Sequence, residues 1–428
     1  MMRIVRAKDI DASRLVGCDL VKNQDIEAQV AAILEDVRAR GDAALLDYTE
    51  RFDGVRPETL EVAQSDMDAA CRSVGEDFLR TLEMAAANIR AFHSRQVRGD
   101  FMVNEQPGVV LGQKVLPLRR VGLYVPGGTA AYPSTVLMDA IPAKIAGVRE
   151  VVMATPPGRD GRVPEAVLAA ARVAGVTRVL RMGGAQAVAA LAFGTQSIPR
   201  VDKIVGPGNI YVATAKRQVY GLVDIDMVAG PSEILVIADQ TANPVHVAAD
   251  LLSQAEHDRL ASAILVTPSP ALAEAVQAEV ERQLARLPRA EICRASIDRA
   301  GVIVLVDSLE EAVEVSNAVA PEHLEVCVDQ PFAYLSRIRN AGSIFLGKYA
   351  PEALGDYLAG PNHTLPTLGT ARFASPLSVD DFVKKSSYIY YSREAFAAVK
   401  DDVARFARAE GLEAHARSAL SRFEEENA

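Results

Sequence analysis

Six histidines occur in the 428 residues, and four of them, His257, His323, His363 and His415, stand beside other groups able to do chemistry. His257 closes "DLLSQAEHD" three residues after Gln254, so an amide and an imidazole share one face at the last turn of a helix. His323 directly follows Glu322 in "NAVAPEHLEVCVD". A carboxylate beside an imidazole offers two groups of different intrinsic pKa, suited to two proton transfers. His363 lies in "LGDYLAGPNHTLPT", a glycine- and proline-rich loop that also carries Asp356, and His415 lies in "RAEGLEAHARSAL" on a tail helix. Singly, each has a plain reading: His257 could complement a helix dipole, His323 could be a loop residue, and His415 could be solvated. Together they supply nitrogen and oxygen donors of the kind that borderline metals such as zinc take. No HExxH occurs, so the helical zinc-protease motif is absent.

These groups need elements to aim them. Asn243 can cap a helix with Pro244 in its first turn, which predicts a helix over 244–257 with Val245, Ala248, Leu251 and Leu252 on the buried side. The first third of the chain reads as helical; in 25–41 Ile26, Val30, Ile33 and Val37 recur at helical spacing, and Gly41 ends the run. From about 108 the texture turns to short β-rich runs. Strands are expected at 120–126, 150–155, 177–182 and 202–206, with helices between them, the first interrupted by Pro142. A second alternation has strands at 232–239, 262–267, 301–306, 324–329 and 342–347. Strand–helix alternation of this kind makes parallel, doubly wound sheets, so the expected class is α/β with two similar domains. The tail from about 390 is helical and charged, broken at Gly411. Leu412, Ala416, Ala419 or Leu420 and Phe423 form a stripe there that needs burial.

Composition narrows the function. With 49% apolar and 24% charged residues the chain is an ordinary soluble globular protein, and no apolar run approaches the ~18 residues of a membrane span. The opening "MMRIVRAKDIDASRL" lacks a signal-peptide core, so a cytoplasmic location is expected. A net charge of −10 argues against a nucleic-acid partner. Cys18, Cys71, Cys293 and Cys327 fall into no metal-spaced or CxxC pattern and read as small thiols of a reducing compartment. Glycine-rich strand ends occur in "VPGGTAAYPST" and "VGPGNIY", but no GxGxxG follows any strand.

The segments "DMVAGPSEILVIAD", "DLLSQAEHD", "APEHLE" and "AGPNHTLPT", with "GLYVPGG" and "GGAQAVAALAFGT", resemble the histidinol dehydrogenase family, from about residue 20 to the tail. The resemblance implies oxidation of L-histidinol through L-histidinaldehyde to L-histidine with two NAD⁺, the last two steps of histidine biosynthesis. It implies one Zn²⁺ per active site and an intertwined homodimer of two incomplete Rossmann-like domains plus a small helical C-terminal segment. Matched by motif, the zinc ligands are Gln254, His257, Asp356 and His415, the last donated by the partner subunit. Glu322 and His323 match the catalytic pair. Ser232, His363 and Glu410 match substrate contacts, alongside the ligands and His323. Tyr124, Gln186 and Asn209 match positions that touch NAD. The expected domains are 1–20 with 118–231 on the NAD side, 21–117 with 232–380 carrying zinc and catalysis, and 381–428 as the crossing tail. Three other readings compete: a paralogous zinc and NAD dehydrogenase acting on another small polyol or amino alcohol, a zinc hydrolase using Glu322, and a non-catalytic zinc staple. The first meets Glu410 and His363, placed for an amine and an imidazole. The second leaves two α/β units without a cofactor, and the third lacks the cysteine-rich site that structural zinc prefers.

Overall fold

The computed structural model describes residues 1–16, 24–127 and 131–424; Cys18 and the 128–130 part of the first glycine-rich strand end lie outside them. Strand β1 (Arg3–Arg6) is followed by helices α1 (Gln24–Arg40), α2 (Asp42–Asp53), α3 (Gln64–Ser73) and α4 (Glu76–His93), then β2 (Phe101–Val103) and β3 (Val109–Pro117). The first alternation runs β4 (Arg120–Tyr124), α5 (Pro133–Ala146), β5 (Glu150–Thr155), α6 (Glu165–Ala174), β6 (Arg178–Arg181), α7 (Gly184–Phe193), β7 (Lys203–Val205), α8 (Ile210–Val219) and β8 (Asp224–Ile225). The second runs β9 (Glu233–Ala238), α9 (Pro244–Ala255), β10 (Ser262–Thr267), α10 (Pro270–Leu284), α11 (Ala290–Ala300), β11 (Val302–Leu305) and α12 (Leu309–Val319). It continues through β12 (His323–Cys327), α13 (Phe332–Leu335), β13 (Ser343–Leu346) and α14 (Glu352–Tyr357). The chain ends in β14 (Val383–Tyr391), α15 (Arg393–Ala409) and α16 (Glu413–Leu420).

Two parallel sheets result, as the alternation predicts. One has the order β6-β5-β4-β7-β8, the other β1-β11-β10-β9-β12-β13. Each alternation grows outward from its own first strand, β4 or β9, then returns to that strand's other side, so β4 and β7 diverge at one switch point and β9 and β12 at another, with β1 added at the edge beyond β11. Central strands such as β9 and β10 are buried along their whole length, the continuous apolar pattern that a sheet covered on both faces requires.

Helices packed on a parallel sheet run antiparallel to the strands they follow, and this decides where the site lies. The helix after β9 is capped by Asn243, whose side chain accepts from Val245 N at 2.9 Å, and carries Pro244 at its start. It returns to the amino-terminal edge of its sheet and ends there with Gln254 and His257. Val247, Ala248, Leu251 and Leu252 face the core; Val245, expected inside, is 43% exposed.

Several expectations are corrected. Residues 1–16 belong to the second sheet, because β1 pairs with β11 in the register Arg3↔Val302. Helices α1–α4 belong to the first: Val30, Val37 and Leu45 pack with Leu180 and Leu191, and Met67, Leu82 and Ile89 pack with Val136 and Leu168. An apolar stripe states that a helix needs a partner, not which sheet provides it. Pro142 does not interrupt α5, which continues to Ala146 with the span Thr135–Ala143 buried. Asp356 sits on helix α14, not in a loop.

The chain divides into two compact units, Met1–Gln96 with Leu118–Phe382, and Val97–Pro117 with Val383–Ala428. The second unit is not purely helical. Its nine-residue strand β14 pairs antiparallel with β3, from Val383↔Pro117 to Tyr391↔Val109. Its helices α15 and α16 join through Ala404, Ala407, Ala416 and Leu420, while Leu412, expected on the buried stripe, is 42% exposed. No helix among the described residues is long and apolar enough to cross a membrane.

Candidate active site

The amino-terminal edge of the second sheet gathers the polar residues singled out by sequence. His323 is the first residue of β12 and pairs across to Ile234 of β9, which sets Glu322 beside Glu233. All three side chains are buried. Glu233 N donates to Glu322 Oε2 at 2.9 Å, and His323 Nδ1 lies 3.1 Å from the Glu233 carbonyl oxygen. Because a carbonyl only accepts, Nδ1 donates there, and whenever the ring is neutral its lone pair is on Nε2. That atom has no hydrogen-bond partner and lies 3.8 Å from Asp356 Oδ1 and 3.9 Å from Glu352 Oε1.

Helix α14 brings Asp356 in as α9 brings His257, by returning toward the same edge. One donor atom from each of His257, Glu352 and Asp356 lies within 4.8 Å of the others. His363 joins from the following loop, with Nδ1 3.1 Å from the Asp356 carbonyl oxygen. A pocket of about 190 Å³ opens here, lined by His323, Asp356 and His363 with Phe345, Leu354 and Leu365. Ser232 is half-buried just before β9, next to Glu233.

Burial and crowding of charge set the electrostatics. Desolvation alone would lower His323, but Glu322, Asp356 and Glu352 together hold it well above the ordinary imidazole value. Desolvation alone would raise Asp356, but His323, His363 and His257 hold it well below the usual carboxylate range. Burial pushes Glu352 up to about 7 against the pull of His323, and burial with the Glu322 charge pushes Glu233 up to about 8. Burial lowers His363, against the opposing pull of Asp356.

The donors suit a divalent metal. Gln254 is fully buried, and neither its amide oxygen nor its nitrogen has a partner, an arrangement costing about 1–3 kcal/mol when nothing satisfies it. It stands one turn from His257, whose backbone N donates to the Gln254 carbonyl at 3.2 Å. An orphaned amide one turn from an imidazole that itself lies close to two carboxylates supplies nitrogen and oxygen donors of the kind a borderline divalent metal takes. Glu352 and Glu233 escaped the sequence reading. Glu352 lies four residues before Asp356, directly after Pro351, so helical spacing could have found it; Glu233 simply looked like the start of a core strand.

The first sheet carries the remaining candidates at the carboxyl ends of its strands. Tyr124 ends β4, and its hydroxyl accepts from Gly184 N at 3.1 Å. Gln186 is buried in the first turn of α7 with Oε1 unpartnered. Asn209 caps α8, accepting from Tyr211 N at 3.0 Å and Val212 N at 3.2 Å. In the second unit, Glu410 ends α15 and His415 lies exposed on α16. Both line a groove of about 1510 Å³ with Ile389, Val403, Phe406 and Phe423.

The histidinol dehydrogenase family model matches residues 19–423. The chain belongs to the histidinol dehydrogenase family. It is 56% identical to histidinol dehydrogenase of Clostridium acetobutylicum over 402 residues, covering 94% of this chain and 93% of that one. It is 58% identical to histidinol dehydrogenase of Geobacillus kaustophilus over 395 residues, covering 92% and 93%. The crystal structure of histidinol dehydrogenase from Elizabethkingia anophelis superposes with a TM-score of 0.93 at 37% identity, covering all of this chain and 99% of that one. Membership in the histidinol dehydrogenase family makes the chain an oxidoreductase, and the buried Glu322–His323 pair falls within the matched span.

Proposed function

We propose that the chain oxidises L-histidinol to L-histidinaldehyde and then to L-histidine in the cytoplasm, passing a hydride to NAD⁺ in each step. The observation carrying this reading is the buried Glu322–His323 pair set against Asp356, His257 and the orphaned Gln254 amide. His323 takes the hydroxyl proton on Nε2, the ring nitrogen left free by the Glu233 carbonyl. Tyr124, Gln186 and Asn209 would contact NAD⁺, which would supply the hydride acceptor. The strand order of the first sheet supports that placement, since parallel sheets bind nucleotides where the winding reverses, here between β4 and β7. In this reading the two sheets are incomplete Rossmann-like domains. The aldehyde must then add water, and Glu322, anchored through Oε2 on the Glu233 amide, is the base that activates it.

Gln254, His257, Asp356 and His415 of the partner subunit would hold one zinc ion. When bound, zinc would act as a template for the substrate's imidazole and amine and would offset the carboxylates that raise His323. Ser232, His363 and Glu410 complete the substrate contacts. An intertwined homodimer accounts for the second unit, whose exposed Ile389 and Phe406 line the same groove as Glu410 and His415. Incubation with NAD⁺ and L-histidinol, followed at the absorbance of reduced nicotinamide, tests the reading. Activity only with a different amino alcohol would replace it.

A further inference from the structure

Pro142 lies deep in α5 and has no N–H to give the carbonyl four residues back, that of Met138. That carbonyl is not left bare: Asn362 Nδ2 donates to it at 2.7 Å. The next residue of the helix, Asp139, accepts from Thr364 Oγ1 at 2.9 Å, and Thr364 N donates to Asn362 Oδ1 at 2.8 Å. Asn362, Thr364 and Asp139 are all buried. Both neighbours of His363 are therefore latched to consecutive residues of a helix more than two hundred positions away in the chain.

From these contacts we propose that Pro142 and Asp139 are positioning residues, which hold His363 against the substrate by fixing Asn362 and Thr364. The inference rests on the reading of His363 as a substrate contact. Proline inside a helix costs stability and frees a carbonyl, and here Asn362 takes up the carbonyl that Pro142 frees. Asp139 reaches the cofactor side as well. Gly206, between β7 and α8, sits so close that a Cβ there would come 2.9 Å from Asp139 Oδ2 and 2.2 Å from the Tyr124 carbonyl oxygen. The Gly206 peptide is itself held by a buried ion pair: its N donates to Asp226 Oδ2 at 2.8 Å, and Lys216 Nζ donates to its carbonyl at 2.9 Å. The one helix thus registers the His363 loop against the turn that leads to Asn209. Burial pushes Asp139 up to about 8, so it works as a neutral acid, and an amide of the same shape can replace it.

The test uses the zinc-loaded full-length protein. Thr364→Val and Pro142→Ala should each lower kcat/KM for histidinol by roughly tenfold, the scale of a slightly misplaced contact, while NAD⁺ affinity by calorimetry stays unchanged. Pro142→Ala should also keep or raise the unfolding temperature, which separates mispositioning from general damage. Asp139→Asn should retain most of the activity that Asp139→Ala loses. In a His363→Ala background, Thr364→Val should cost nothing further, because it acts only through His363. A Thr364→Val loss equally large in that background, or wild-type kinetics in both Thr364→Val and Pro142→Ala, would overturn the proposal. A wild-type protein inert toward histidinol would instead defeat the functional reading itself.

Discussion

Nε2 of His323 stands 3.8 Å from Oδ1 of Asp356 and has no hydrogen-bond partner, while Nδ1 of the same ring is 3.1 Å from the Glu233 carbonyl oxygen. One ring nitrogen is thus engaged by the sheet and the other lies toward the donor cluster. Glu322, one residue earlier, is anchored separately on the Glu233 amide. The two groups lie 3.5 Å apart, His323 Nδ1 to Glu322 Oε2, but each has its own anchor on the Glu233 backbone, which lets them do different jobs.

The first prediction follows from that separation. Glu322→Gln should slow histidinaldehyde oxidation far more than histidinol oxidation, since only the aldehyde needs water added. His323→Asn should impair the alcohol step, where a proton must leave a hydroxyl. General-base contributions are typically ~10²–10⁴-fold, so the contrast is measurable by supplying each substrate alone. An equal loss in both half-reactions for Glu322→Gln would remove its assignment as the hydration base.

Metal removal should abolish activity and leave the fold intact. Each sheet has its own apolar core, built from residues such as Leu123 and Val151 in one and Val236 and Leu265 in the other, none of which depends on the donor cluster. Circular dichroism before and after chelation checks this, with metal content measured alongside. Asp356→Asn, which replaces an anionic oxygen donor with a neutral amide, should bind zinc less tightly than wild type. Cooperative unfolding on chelation would mean that the metal is structural.

Stability should fall as pH rises from mildly acidic values through about 8. Asp139 and Glu233 are each pushed up to about 8, from 3.8 and 4.5, chiefly by burial. The folded chain therefore keeps two protons that the unfolded chain has already released, so their contribution is complete below the unfolded values and is lost as pH passes the folded ones. Thermal unfolding of the metal-free protein across that range measures the slope, and Asp139→Asn should make it shallower. A slope unchanged by Asp139→Asn would show that Asp139 is ionised in the fold.

What the sequence revealed, it revealed through local chemistry. The Asn243–Pro244 start of α9 and the order of strands and helices are properties of a few neighbouring residues, and they hold in the structure. The pairing of β1 with β11 and the docking of α1–α4 on the first sheet depend on contacts between distant segments, and the expected domain boundaries placed both with the other sheet. The site shows the same division. Gln254 with His257 and Glu322 with His323 were legible because each pair is local, whereas Glu233 became a partner of both Glu322 and His323 only through the β9–β12 register. Pro142 read as a helix break because its compensating donor, Asn362, comes from a far-off loop.

The shared-site proposal predicts complementation between chains. A Glu322→Gln chain and a His415→Ala chain, each nearly inactive alone, should recover activity when mixed and reassembled. Each heterodimer would hold one site with both lesions and one with neither, so activity should approach half of wild type per heterodimer. If His415 served its own chain, every site would carry one lesion and mixing would restore nothing.

The central claim is a double oxidation at one site, and its stoichiometry tests that most directly. A limiting amount of L-histidinol, with zinc-loaded protein and excess NAD⁺, should yield two NADH per histidinol consumed and an equal amount of L-histidine. One NADH per histidinol with free aldehyde accumulating, or no NADH at all, would contradict the account.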